Sequence, residues 1–205
     1  MHPLLGLLIS YLAGSIPFAY LAGKARHVDL RQHGSGNLGA TNAMRVLGPK
    51  WGMLVYAGDT LKGTIPVVVL PQIVSATRLD LWAIAFGVAA IIGHVRPIFL
   101  MGQGGGKGVA TTGGVFFGLA WLPTLIAFLS FAAATFITKR VSIGSITAAV
   151  ILPSALIVER GFRDPLALIC CAIAIFVIYL HRGNIARLRA GTEPRIGEDR
   201  ETSDV

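Results

Sequence analysis

The run from Val109 to Ile137, VATTGGVFFGLAWLPTLIAFLSFAAATFI, carries no charged residue. A bilayer core of ~30 Å takes about 20 apolar residues per helix, so the run is too long for one untilted crossing and short for two ideal ones. The surrounding basic residues decide between them. With one crossing, the tail cations Arg182, Arg187, Arg189, Arg195 and Arg200 fall outside. With two, breaking near Gly118 to Pro123, that tail shares a side with Lys139, Arg140, Lys107 and the first polar connection. Only Arg78, Arg160 and Arg163 then lie opposite. Cytoplasmic connections carry the excess of Lys and Arg, so the bias selects two crossings. Gly113, Gly114 and Gly118 would let these short helices approach their neighbours closely.

Outward from that run, the chain reads as a succession of apolar segments. Pro3 to Gly23 is the first, interrupted by Pro17. A polar connection from Lys24 to Lys50 follows, then spans at Trp51–Val74 and Leu81–Leu100. Beyond the central run lie spans at Ile143–Val158 and Pro165–Leu180, and a polar, Arg-rich tail begins at His181. The expectation is an all-α polytopic membrane protein with seven transmembrane helices, its N-terminus outside and its C-terminus cytoplasmic. Residues 1–197 form one integral membrane domain and 198–205 a disordered cytoplasmic tail.

Composition agrees. Of the 205 residues, 54% are hydrophobic and only 14% charged, where a soluble domain carries roughly 25% charged residues. The apolar runs are continuous rather than alternating, which argues against a β-barrel. The formal net charge of +8 sits in short connections, so it reads as topology and not as nucleic-acid binding. No basic region precedes the first apolar segment, which is therefore read as a retained helix and not a signal peptide. Cys170 and Cys171 are adjacent inside the last span. They are poorly placed to bridge and act as small apolar residues.

With seven spans, every polar motif faces the cytoplasm. The first is Gly34-Ser35-Gly36-Asn37-Leu38-Gly39-Ala40-Thr41-Asn42-Ala43-Met44-Arg45. Its glycines free the backbone, Ser35, Asn37, Thr41 and Asn42 add short donors, and Arg45 adds a fixed cation. Successive N–H groups with an Arg make a concave site for a phosphate, although Gly/Asn-rich loops are also common turns. The second is Gly104-Gly105-Gly106-Lys107-Gly108, opening a helix, a plausible phosphate cradle. It lacks the spacing of a Walker P-loop, since Met101 and Gly108 occupy the diagnostic positions. Asp59 and Lys62 lie at i, i+3 inside the second span, where charges are costly and face a polar interior. They are read either as a mutually neutralising structural pair or as functional, with Lys62 orienting a polar headgroup or bracing the first loop. His94 reads as a base, a phosphate donor or a helix-end residue near carbonyls, and is of secondary rank. Ser142 is a helix N-cap or an anion donor. The tail from His181 through Asn184 to Glu193 is a basic segment at the membrane exit, where Asn184 stands out. The five histidines show no metal-ligand spacing, so no metal and no cofactor is expected. No Cys/His dyad or G-x-S-x-G elbow supports a covalent nucleophile.

Together these residues resemble the bacterial membrane acyltransferases that use acyl phosphate to acylate glycerol 3-phosphate. Three stretches carry the resemblance: 34–45, 105–111, and His181-Arg182 with Asn184-Ile185, Arg187-Leu188 and Gly191-Thr192-Glu193. Asp59 with Lys62-Gly63, Gly93-His94 with Pro97, and Ser142 also fit. The segment from Phe99 to Gly104 departs from the pattern, being one residue longer and without its usual aromatic and basic residues. The resemblance implies acyl transfer from acyl phosphate to the 1-hydroxyl of glycerol 3-phosphate, giving 1-acylglycerol 3-phosphate and phosphate, the first step of phospholipid synthesis. It implies a multi-pass protein of the bacterial inner membrane with its active site facing the cytoplasm. Substrate phosphate would be bound by Ser35, Gly36, Asn37, Gly39, Thr41, Asn42, Arg45, Gly105, Gly106, Lys107 and Ser142. Thr41, Lys107, His181 and Asn184 would be catalytic, with Asp59, Lys62, His94 and Glu193 in support. It also suggests that a substrate phosphate accepts the proton, so that no side chain is an indispensable base. The His-x-x-x-x-Asp base of acyl-CoA-dependent acyltransferases is absent from the sequence. The partners expected are the two substrates and the bilayer, with docking of an acyl-phosphate-producing enzyme left open. The alternative is a phosphate-ester transporter, which would spread polar residues through the full bilayer depth. A lipid phosphatase would want paired acidic residues, and Asp29, Asp59 and Glu193 are scattered.

Overall fold

The computed structural model describes residues 1–198, which are helical with no strand among them. The expected disordered tail lies outside the described residues, apart from Glu198, whose N–H donates to the Arg195 carbonyl at 3.3 Å. The chain divides into two compact units, one ending at Leu119 and the other starting at Ala120.

The first unit contains α1 (Pro3–Ser15), α2 (Phe18–Ala25), α3 (Ala40–Leu47), α4 (Pro49–Ile73), α5 (Leu79–Val95) and α6 (Val109–Leu119), with a 3₁₀ turn at Ile98–Leu100. Helix α1 stops because Pro17 has no N–H to continue it and drives Ile16 to extended backbone, φ −60° and ψ 115°. Helix α2 restarts immediately. Residues of α2, α3, α4 and the loop between α2 and α3 share a core of Ala19, Ala22, Leu30, Leu38, Ala43 and Val55.

Glycine sets the closest approaches. A methyl at Gly14 of α1 would collide with the Ala90 carbonyl of α5, and one at Gly63 of α4 with the Thr111 carbonyl of α6. Gly114 of α6 sits on the Thr60 carbonyl of α4, and Gly118 lies against Val67 and Val68. Higher numbers in α6 thus meet higher numbers in α4, so these two helices run in the same direction. Without a hydrophobic force between helices in lipid, such backbone proximity is a main source of association.

The second unit contains α7 (Trp121–Thr138), α8 (Val141–Arg160), α9 (Pro165–Leu180) and α10 (Arg182–Arg189). Asp164 caps α9, accepting from the Leu166 and Ala167 N–H groups at 2.9 and 3.1 Å. Helix α10 leaves α9 at a bend of 54°. The chain after α10 folds back, and the Ile196 N–H donates to the Lys139 carbonyl at 2.7 Å.

Among the described residues, five segments are long and apolar enough to cross a membrane: Pro3–Ala25, Pro49–Ile73, Leu79–Leu100, Trp121–Thr138 and Val141–Arg160. The bent pair α9 and α10 makes up to six. The central apolar run breaks at Ala120, inside the interval expected from the sequence. Its first half, α6, has 11 residues and reaches only ~16 Å at 1.5 Å per residue. The protein is therefore a helical membrane protein whose fourth apolar segment is half the usual length.

Candidate functional site

In the first unit, the stretch 34–45 is part loop and part helix. Gly39 stands at the N-cap of α3, so Thr41, Asn42 and Arg45 are helical. Asn42, 1% exposed, organises the loop. Its Oδ1 accepts from the Ser35 N–H at 2.8 Å, and its Nδ2 donates to the Leu30 and His33 carbonyls, both at 3.1 Å. Gly34 has φ +63°, and a side chain there would strike Asn42 Oδ1. Both amide donors of Asn42 are engaged inside the loop, so its direct part is bracing. Ser35, Gly36 and Thr41 form an exposed rim, while Asn37, Gly39 and Arg45 are half-buried. Nearby, Arg31 grips Asp29 at 2.8 Å, and its hydrogen bonds hold the Asp29 carboxyl below the usual range.

The second glycine-rich loop lies over the end of α5. Gly102, Gly104 and Gly108 have φ of +71°, +67° and +81°, a left-handed backbone that favours glycine. Gly105 rests on the Val95 carbonyl. Gly106 is pinched between two neighbours. A methyl there would collide with His94 Nε2 and come within 2.9 Å of the Leu38 carbonyl. Leu38 belongs to the first loop, so the two glycine-rich loops meet at Gly106. Gly105 and Gly106, expected as phosphate ligands, therefore also serve backbone contact. Half-buried Lys107 follows directly.

Beneath this junction runs a buried ionic chain. Lys62 Nζ donates to the Ile16 carbonyl at 2.8 Å, which lies at the Pro17 break and also accepts from the Phe18 N–H at 3.2 Å, and pairs with Asp59 Oδ1 at 2.7 Å. His94 Nδ1 lies 3.5 Å from the same Asp59 oxygen. Asp59, Lys62 and His94 are 2%, 5% and 6% exposed. Lys62 also stands over the Phe18 ring, 5.6 Å from its centroid. These groups, with Ser15, Pro97 and Gly104–Gly106, line a small pocket.

The second unit holds its own polar centre around Glu193. Asn184 Nδ2 donates to Oε1 at 2.7 Å and Arg187 Nε to Oε2 at 2.8 Å. Arg140 Nε reaches the Glu193 carbonyl at 3.2 Å. Burial pushes the Glu193 carboxyl up, but hydrogen bonding from Asn184, Ser142 and Arg187 and the Arg187 charge outweigh it and hold the group below its ordinary value. Ser142 stands by this carboxylate, yet its buried hydroxyl meets no described protein group at full hydrogen-bond geometry. It is not the cap of α8, a position taken by Arg140. His181, 3% exposed, ends α9. Its Nδ1 is 2.8 Å from the Val177 carbonyl. A carbonyl only accepts, so Nδ1 carries the proton and Nε2 is the acceptor of the neutral ring.

Each unit thus brings its share of the expected residues together. From the sequence, Arg140 counts only as a topology cation and Arg187 only as a tail cation in a resembling stretch, and the Ile16 carbonyl does not figure at all. The i, i+3 spacing of Asn184 and Arg187 could have flagged a shared helix face. Nothing local could have signalled Lys62 reaching Ile16. Among the described residues there is no cluster of three or more His, Cys, Asp or Glu fit to hold a metal ion.

A family model described as glycerol-3-phosphate acyltransferase matches residues 4–191. The chain belongs to the glycerol-3-phosphate acyltransferase family. As a member it is an acyltransferase. It is similar to the glycerol-3-phosphate acyltransferase of Geobacter sulfurreducens, 46% identical over 188 residues, covering 91% of this chain and 94% of that one. Among solved structures it resembles PlsY (YgiH), an integral membrane glycerol 3-phosphate acyltransferase, in its glycerol 3-phosphate form. The TM-score is 0.88 at 38% identity, over 95% of this chain and 96% of that one. Similarity to the lysophosphatidic acid form of PlsY gives a TM-score of 0.84 at 37% identity, over 94% of each chain.

Proposed function

We propose that the protein transfers a fatty acyl group from acyl phosphate to the 1-hydroxyl of glycerol 3-phosphate, releasing phosphate and 1-acylglycerol 3-phosphate, as the first step of phospholipid synthesis. The observation that carries this reading is the likeness, over nearly the whole chain, to PlsY in both its glycerol 3-phosphate and lysophosphatidic acid forms. The family match runs across both units, which supports treating residues 1–197 as one catalytic domain.

The chemistry suits these residues. Two anionic substrates must be held in contact, and doing so removes much of the bimolecular barrier. We assign phosphate recognition to Ser35, Gly36, Asn37, Gly39, Thr41, Arg45, Gly105, Gly106, Lys107 and Ser142, with Asn42 shaping the first loop. Lys107 and Arg45 offset the negative charge, Arg by a planar fork and Lys as a point charge. The acceptor oxygen attacks the acyl carbonyl carbon. The bond from that carbon to the phosphate oxygen breaks, and phosphate departs with the electron pair. The hydroxyl proton passes to a phosphate oxygen. Thr41 and the glycine-rich backbone supply donors for the transient oxyanion; in the second unit we assign catalytic parts to Asn184, as a donor, and to His181, whose Nε2 accepts. Glu193 positions Asn184 and Arg187.

The topology we favour has seven crossings, an outside N-terminus and a cytoplasmic active face in a bacterial inner membrane. Positive-inside bias supports it, and so does the shared direction of α4 and α6, which alternating crossings require. The exposed arginines of α10, Arg182 and Arg189, suit docking by an enzyme that makes acyl phosphate.

The test is product identity. Purified protein given acyl phosphate and glycerol 3-phosphate should yield a monoester whose acyl group NMR places on the 1-hydroxyl, while acyl-CoA yields none. Equal turnover of acyl-CoA, or acylation at the 2-hydroxyl, would overturn the donor or position assigned.

A further inference from the structure

The reaction as written uses Lys107 but gives no task to the ionic chain below it. Burying an ammonium, a carboxylate and an imidazole side by side is costly, and apolar residues of similar volume often hold a fold equally well. This chain ends against the two loops. Lys62 satisfies the Ile16 carbonyl at the α1 break, Asp59 balances Lys62, and His94 stands beside Asp59. The far edge of the His94 ring presses on Gly106, and the Leu38 carbonyl presses on the same residue from the first loop. Gly106 immediately precedes Lys107. Any movement of the imidazole therefore moves the junction of both loops and the residue that carries the ammonium.

We propose that Lys62, Asp59 and His94 form a positioning relay that fixes the junction of the two glycine-rich loops at Gly106 and thereby sets Lys107 for substrate phosphate. The relay contacts no reacting atom. It acts through Lys107, and the inference rests on the reading of Lys107 as a phosphate ligand. The relay also accounts for the Pro17 break. An uninterrupted helix would turn the Ile16 carbonyl along its own axis, whereas at the break it accepts from the Phe18 N–H at 3.2 Å and from Lys62 Nζ at 2.8 Å. Groups one layer behind metal ligands change affinity or activity by about 10- to 100-fold, and the relay should act on a comparable scale.

The test uses Asp59→Asn and His94→Gln in the full-length protein in detergent, with the thermal transition recorded for each. The first readout needs no turnover. Lys107 is acetylated by an amine-reactive reagent and its modification rate is followed by mass spectrometry against rising glycerol 3-phosphate. Each variant should need about 10-fold more glycerol 3-phosphate for the same protection while keeping a cooperative transition. Unchanged protection in either folded variant would overturn the relay. The second readout is a double-mutant cycle on kcat/KM. If the relay works through Lys107, adding Asp59→Asn to Lys107→Ala should cost less than twofold further, whereas multiplying losses would mean an independent role. If Asp59→Asn does not fold, His94→Gln carries both measurements. Failure of the wild-type protein to show glycerol 3-phosphate protection at Lys107 would instead overturn the ligand reading on which the relay depends.

Discussion

Asn42 and Ser142 show how two polar residues of similar promise separate once their partners are visible. Asn42 makes three hydrogen bonds that shape the first loop. Asn42→Ala should cost about 2 to 3 kcal/mol of stability at roughly 1 kcal/mol per bond, measured by denaturation in detergent. Activity should fall with it. Ser142→Ala removes a hydroxyl that stands by the Glu193 carboxylate without reaching full hydrogen-bond geometry, so stability should shift by less than about 0.5 kcal/mol. If the hydroxyl donates to substrate phosphate, kcat/KM should still drop roughly 10- to 100-fold, as for a hydrogen bond to a charged group. A stability loss without an activity loss would reverse that assignment. Glu193 gives a pH test. Its folded-state pKa lies below the ordinary 4.5, so its stabilising contribution is complete above about 4.5 and fades as pH falls through the lower folded value. Below pH 4.5 the wild-type thermal transition should fall faster than that of Glu193→Gln. Parallel curves would mean that the carboxylate adds nothing in its charged form. The residue types proposed for the site come from the sequence, since phosphate chemistry demands Gly, short donors and Arg or Lys. The division of labour was not, because Asn42 and Gly106 are defined by neighbours contributed by other segments.

Among the elements, apolar length alone delimits α4, α8 and α9 to within a few residues, Pro17 marks the end of α1, and the start of α7 follows from the charge bias that split the central run. Helix α3 was not legible. It begins inside the glycine-rich motif and is only eight residues long, too short for apolar periodicity to stand out from a loop. The close contact of α4 with α6 was legible only as a richness in glycine. It leads to a prediction: Gly114→Ala should force the two helices apart, because the added methyl meets the Thr60 backbone carbonyl. Overpacking of this kind costs about 1 to 3 kcal/mol. Gly113→Ala, one residue away and facing open space, is the control and should stay within about 0.5 kcal/mol of wild type or gain slightly from better helix propensity. Equal destabilisation by both would mean that α6 does not lie against α4 as described.

At the scale of the whole molecule, charge distribution and α6 carry the topological claim. Single cysteines replacing Arg78 and Arg160, in a background without Cys170 and Cys171, should react with an impermeant thiol reagent from outside the cell. A cysteine at Lys50 or Lys139 should react only after permeabilisation. Labelling of position 139 from outside would mean that the central apolar run crosses once. The chemical claim, acyl transfer from acyl phosphate to glycerol 3-phosphate, is tested most directly by phosphate release from acyl phosphate, measured on purified protein with and without glycerol 3-phosphate. The account predicts release that depends on glycerol 3-phosphate, matches ester formation one for one, and falls steeply in Lys107→Ala. Release at the same rate without glycerol 3-phosphate, or none from folded protein, would contradict it.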